Sequence, residues 1–100
     1  MLEKFVAWTK IIADNLPPSM RGIVSVGTQS DNQSARIDIE TPLAIGRITF
    51  WKSGDYITEI IDIAKEKIIY SHQGCIDRED AFSETFLPFF SFLKSMSAGN

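Results

Sequence analysis

The sequence predicts an α+β fold: an antiparallel meander of four or five strands, with an N-terminal and a C-terminal helix packed on one face in two layers. Three observations lead there. Residues 36–76 alternate strand-like runs with short turns and leave no room for a crossover helix, so neighbouring strands must run antiparallel. Leu2, Phe5, Val6, Thr9, Ile12, Ala13 and Leu16 recur at helical spacing. Phe82, Phe86, Phe89 and Leu93 follow at spacings of four, three and four, one face of a second helix. Helices at both ends of a half-buried sheet pack most simply on the same face of it.

The first helix, over residues 2–16, is stopped by Asp14-Asn15 and by Pro17-Pro18, because the residue before a proline is driven out of helical geometry. Trp8 lies beside the apolar stripe and is expected to cover the edge of the core. Ile23-Val24-Ser25-Val26 is rich in β-branched residues and flanked by Gly22 and Gly27, which reads as a strand. Ser30-Asp31-Asn32-Gln33 is turn material. Ala35-Arg36-Ile37-Asp38-Ile39-Glu40 alternates apolar with charged residues without a break, the pattern of a strand with one buried face, and Thr41-Pro42 ends it. Residues 43–51 make the next strand, in which Gly46 indicates a bulge or a close backbone approach.

Ser53-Gly54-Asp55 forms a hairpin turn. Residues 56–63 are apolar on both faces, as expected of a central strand partly covered on both sides. Ala64-Lys65-Glu66 turns into a last strand at 67–72, closed by Gln73-Gly74. Asp77 is expected to cap the C-terminal helix, with Glu79 and Asp80 in its first turn, where the helix dipole favours negative charge. Leu87 and Phe90 widen the apolar face of that helix, and Pro88 should kink or restart it. Residues 95–100 read as a frayed tail. The sheet face away from the helices would then show Arg36, Asp38, Glu40, Arg47, Thr49 and Trp51, with the phase slipping by one if Gly46 is bulged.

A chain of 100 residues is expected to form one domain, residues 1–100. Its formal net charge of -3 argues against a polyanion binder. The first fifty residues balance, so all the surplus acid lies in the second half, as a solvated surface or as a feature a basic partner could use. The single cysteine, Cys75, excludes an internal disulfide, suits a reducing compartment, and is expected to be buried or semi-buried as a small apolar side chain. The N-terminus lacks the basic n-region of a signal peptide, and no apolar run is long enough to span a bilayer. A soluble cytoplasmic protein is the expectation.

No catalytic, cofactor-binding or metal constellation emerges. His72 and Cys75, three apart, are the only residues of their types and make half a zinc site at best, and His72 reads more simply as a partly exposed strand-end residue. A nucleophile would have only His72 as its base, and no motif surrounds it. Asp38, Glu40, Glu59 and Asp62 could supply an acid–base pair, but carboxylates on strands usually form the wet face. Gly22 and Gly27 fit no phosphate loop, and the basic residues form no aromatic-interleaved patch for nucleic acid. The hairpin Trp51-Lys52-Ser53-Gly54-Asp55-Tyr56 sets two large aromatics on either side of a turn, with acid and base between. That suits either an interface hot spot or cross-strand aromatic packing.

Ser34-Ala35-Arg36-Ile37-Asp38-Ile39-Glu40-Thr41-Pro42, Gly46-Arg47-Ile48-Thr49-Phe50-Trp51-Lys52-Ser53-Gly54 and Glu59-Ile60-Ile61-Asp62-Ile63 resemble the small bacterial immunity proteins of the TriTu type. These belong to contact-dependent growth inhibition and related polymorphic toxin systems. The resemblance covers about the middle half of the chain and its helix–sheet–helix layout, and Arg-Ile-Thr-Phe-Trp-x-Ser-Gly is its distinctive piece. It implies a monomeric, non-enzymatic inhibitor that binds a cognate toxin domain, for instance a basic nuclease, and blocks its active site or an exosite. Nucleic acid and membrane are not among the implied partners. Asp38, Glu40, Trp51, Asp55, Tyr56 and Glu59 are the candidate partner-binding residues. The alternative is a small structural or adaptor module that self-associates through an exposed edge strand.

Overall fold

Five strands lie side by side in chain order, each antiparallel to the next: β1 (Arg21–Val26), β2 (Ser34–Glu40), β3 (Ala44–Trp51), β4 (Asp55–Asp62) and β5 (Lys67–Cys75). The computed structural model describes residues 1–27, 32–78 and 81–98. Ser30 and Asp31 of the expected turn, Glu79, Asp80 and the last two residues lie outside that set. The helices α1 (Leu2–Asp14), α2 (Phe82–Thr85) and α3 (Leu87–Ala98) complete the order helix, meander, helices.

Alternation decides which residues meet. On β2, Ala35, Ile37 and Ile39 are buried and Arg36 and Glu40 exposed; on β3, Ala44, Ile48 and Phe50 are buried. Phe5 and Thr9 of α1 and Phe82, Phe86, Phe89 and Leu93 of α2 and α3 bury against that same side. Each of these phenylalanines removes a large apolar area from water, so together they contribute several kcal/mol to the packing of helices on sheet. The rings of Phe5 and Phe50 stack at 4.8 Å, and Phe82 meets Phe50 edge-on at 5.4 Å. Thr9 is buried within the stripe at no polar cost, because its hydroxyl donates to the Val6 carbonyl at 2.7 Å. Trp8 joins the two helical layers, as expected of an edge cover: its ring lies against Phe5, Phe82, Phe86 and Phe90, and its Nε1–H donates to Ser83 Oγ at 3.1 Å.

Several expectations need correction. Gly46 is not bulged, since the register runs unbroken from Ile39 through Gly46 to Ile60. It is the close approach instead: a Cβ there would stand 2.8 Å from Phe89 Cζ and 3.2 Å from Leu93 Cδ2. The irregularity falls between β4 and β5, where Ile60 pairs with Tyr70 but Ile61 pairs with Ile68. β5 runs on to Cys75 rather than ending at His72. β4 alternates simply, with Tyr56, Thr58 and Ile60 buried, and its second face is not covered by either helix.

Asp77 does not cap a helix. The residue before α2 is Ala81, and no side chain bonds to that helix start. The C-terminal helix is interrupted at Phe86 and restarts as α3 with Pro88 in its first turn, where a missing N–H leaves no intrahelical bond unmade. Leu87 is 61% exposed and does not widen the core face. α3 continues through residues 95–98, so that part of the expected tail is helical.

Candidate functional site

The face of the sheet turned away from the helices is where the chain gathers its exposed chemistry. Cross-strand register orders it in rows. One row reads Ile23, Asp38, Arg47, Glu59, Ser71 across β1 to β5. On one side of it lies Arg21, Glu40, Ile45, Ile61, Ile68, and on the other Ser25, Arg36, Thr49, Ile57, Gln73. Trp51 and Asp55 end β3 and begin β4 at the hairpin, with Ser34 beside Trp51 and Cys75 beside Asp55. The residues anticipated for this face, Arg36, Asp38, Glu40, Arg47, Thr49 and Trp51, do share it, because Gly46 keeps the phase.

Asp38 is the hub. Arg47 Nε donates to its Oδ1 at 2.6 Å, and Arg36 Nε lies 3.3 Å from its Oδ2. Its side chain is only 15% exposed, while the two guanidinium groups remain nearly half exposed. Asp38 thus acts as a brace that orders two cations. Glu40, Asp55 and Glu59 form no ion pair among the described residues, which leaves their charges available at the surface.

Tyr56 does not belong with Trp51. The hairpin loop Lys52-Ser53-Gly54 sets Phe50 opposite Tyr56, so Trp51 and Tyr56 point to opposite faces. Tyr56 is 6% exposed and meets Phe86 edge-on at 5.0 Å. Burial, and after it the neighbouring Tyr70 and Cys75, push its phenol above the usual tyrosine range. Gly74 makes room for it, since a Cβ there would stand 2.7 Å from the Tyr56 hydroxyl. Gly54, at φ 97°, supplies the left-handed residue that a three-residue hairpin loop needs, and its N–H donates to the Trp51 carbonyl at 2.8 Å.

Cys75 is exposed, not buried. Its thiol is nevertheless pushed up, by desolvation first and then by Asp55, which repels the thiolate and takes a hydrogen bond from the thiol, with Asp77 adding to the effect. That is the reverse of what a nucleophile needs. His72 and Cys75 lie on opposite faces of β5, His72 opposite Thr58 and Cys75 opposite Asp55, so the pair does not converge.

Around the hairpin end of the face lies a shallow depression of about 620 Å³, lined by Asn32, Trp51, Asp55, Ile57, Gln73 and Cys75 together with Tyr56 and Gly74, so Tyr56 borders the same hollow as Trp51 although its ring turns to the core side. At the opposite end, the uncovered apolar residues gather: Ile61 is 39% exposed and Ile68, its partner across the strands, 56%. The excess of apolar residues on β4 was the sequence signal for them, but it reads equally as coverage on both sides. Ile57 and Gln73 have no signal of their own, since local pattern ends the last strand at His72 and leaves Gln73 off the sheet.

Among the described residues, no helix is long and apolar enough to cross a membrane. No curated protein matches the chain. A family-level match spans nearly all of the chain: residues 3–92 match the family described as Immunity protein TriTu, and the chain belongs to that family.

Proposed function

We propose that this protein neutralises a cognate toxin domain in the bacterial cytoplasm by binding it with the open face of the sheet, covering the toxin's active site or an exosite. The carrying observation is that a member of an immunity family leaves one whole sheet face free of its own helices, with ordered charges and an aromatic on it. In this reading residues 1–100 act as one domain, monomeric when free and without catalysis, within a contact-dependent inhibition or related polymorphic toxin system. Glu40, Asp55 and Glu59 meet basic groups of the toxin, a nuclease being one basic class. Trp51 provides the aromatic anchor, and Asp38 holds Arg36 and Arg47 in place. Tyr56 contributes from beneath, by seating the hairpin on Phe86.

Co-expression with the toxin encoded beside it tests this. Growth is expected to be restored by the native protein and impaired again when Trp51→Ala and Glu59→Lys are combined in a chain that still folds. Equal killing with and without the native protein rules the reading out. A second reading, self-association, draws on one feature: β5 is nine residues long, free of proline, and lies at the sheet edge. A sizing column separates the two, because a monomer at high concentration leaves no place for edge pairing.

A further inference from the structure

We infer that the depression at the hairpin end of the open face is a receptor for one guanidinium side chain, an arginine presented by a basic protein partner. This deepens the toxin-binding reading and rests on it for its biological partner, though not for its test. Trp51 and Asp55 flank the three-residue loop on the same face, so an indole and a carboxylate wall one hollow. Asp55 is held in place: Ser53 Oγ donates to its Oδ2 at 2.9 Å, and Asn32 in turn bonds Ser53, its Oδ1 accepting from the Ser53 N–H at 3.1 Å. Asp55 forms no ion pair among the described residues. Cys75 stands beside Asp55 on the neighbouring strand; its thiol is pushed up by desolvation first, with Asp55 and then Asp77 adding to the effect.

A planar cation fits those groups better than a point charge. Guanidinium stacks on an aromatic face and offers parallel N–H donors to a carboxylate, which an ammonium does not. Gln73 and Ile57 also line the hollow, a polar amide side chain and an apolar surface for the methylene stem of an arginine. The nearby cations are accounted for. Arg36 is drawn to Asp38, and Lys52 lies exposed on the loop.

The probe is a blocked arginine, Nα-acetyl-arginine amide, titrated into the isotopically labelled protein and followed by NMR. The Trp51 indole N–H, the Gln73 side chain and the Cys75 amide are expected to shift and saturate in the range of tens of millimolar. Trp8 serves as an internal control, its indole N–H being bonded to Ser83 on the helical layer. Blocked citrulline, and sodium chloride at the same ionic strength, are expected to leave Trp51 unmoved. Asp55→Asn is expected to weaken binding about threefold, a change on the scale of one exposed charge pair. Trp51→Leu, which keeps Asp55, is expected to abolish saturation. Shifts spread over the whole surface, equal shifts with citrulline, or full affinity in both variants overturn the inference. Failure here leaves toxin binding by the open face standing, whereas failed rescue with intact guanidinium binding removes the toxin and keeps the receptor.

Discussion

Asp55 and Cys75 show how a neighbour bears on reactivity. Desolvation comes first in raising the thiol, and the carboxylate adds to it by repelling the anion and accepting the thiol's hydrogen bond. Asp55→Asn keeps the acceptor toward Ser53 and removes the charge, so the thiolate fraction at pH 8 rises. Alkylation of Cys75 by iodoacetamide is then expected to run several-fold faster than in the native protein, measured by mass spectrometry at fixed pH. Tyr56 gives a pH prediction of definite sign. Its folded pKa lies above the ordinary value of an unfolded tyrosine, first because it is buried. The folded state therefore favours the neutral phenol, and this contribution is complete below the ordinary tyrosine pKa and lost as pH rises through the raised value. Tyr56→Phe should show a shallower alkaline loss of stability, read from urea midpoints across the range. That Trp51 and Tyr56 have opposite fates was not legible in their composition. Both are large aromatics beside a turn, and only the loop length, through the register, assigns them to different faces.

At the level of elements, α3 packs closely on β3 at Gly46. Gly46 allows Phe89 and Leu93 to approach the strand backbone, and a methyl group there would meet Phe89 Cζ at 2.8 Å. Gly46→Ala is expected to cost about 1–3 kcal/mol by overpacking, seen as a lowered urea midpoint with an unchanged slope. Adding Phe89→Leu should recover part of that loss, because the two sites share one space; strict additivity would show that Gly46 matters for another reason. The sequence offered bulge and close approach as equals at Gly46. Choosing between them requires knowing which helix lies overhead, and residues as far apart in sequence as Gly46 and Phe89 cannot be read together from local pattern. The Asp77 cap failed for a related reason. An acid before an apolar run is a sound local signal, but Ile76 is buried and tied to Gly54 by its N–H at 2.8 Å, which extends the strand's path past the expected cap.

For the molecule as a whole, charge is unevenly placed. The second half of the chain carries all of the net charge of -3, and on the open face Asp55 and Glu59 sit on β4 while Arg36 and Arg47 sit on β2 and β3. A basic partner would approach faster from the β4 side than an uncharged one. For the proposed toxin complex, the association rate is expected to fall steeply with added salt while the dissociation rate changes little, as measured by stopped flow. A complex whose association ignores salt would place the interface on the helical side instead, where the groove between α1 and α3 is lined largely by apolar residues such as Trp8, Leu16, Leu87 and Phe90.

Local pattern alone was enough to establish the antiparallel meander, the helix at each end, and which residues of β2 and β3 face inward. Turn lengths and the two-residue period act over a few positions, and no distant contact competes with them. The packed assembly decided the rest: that the second face of β4 stays bare, that the irregularity lies at Ile60 and Ile61, and that Asp38 is braced by two arginines while Asp55 is left open. Those outcomes depend on which helix covers which strand and on how three strands align across the sheet, and such neighbours exist only once the chain has closed on itself.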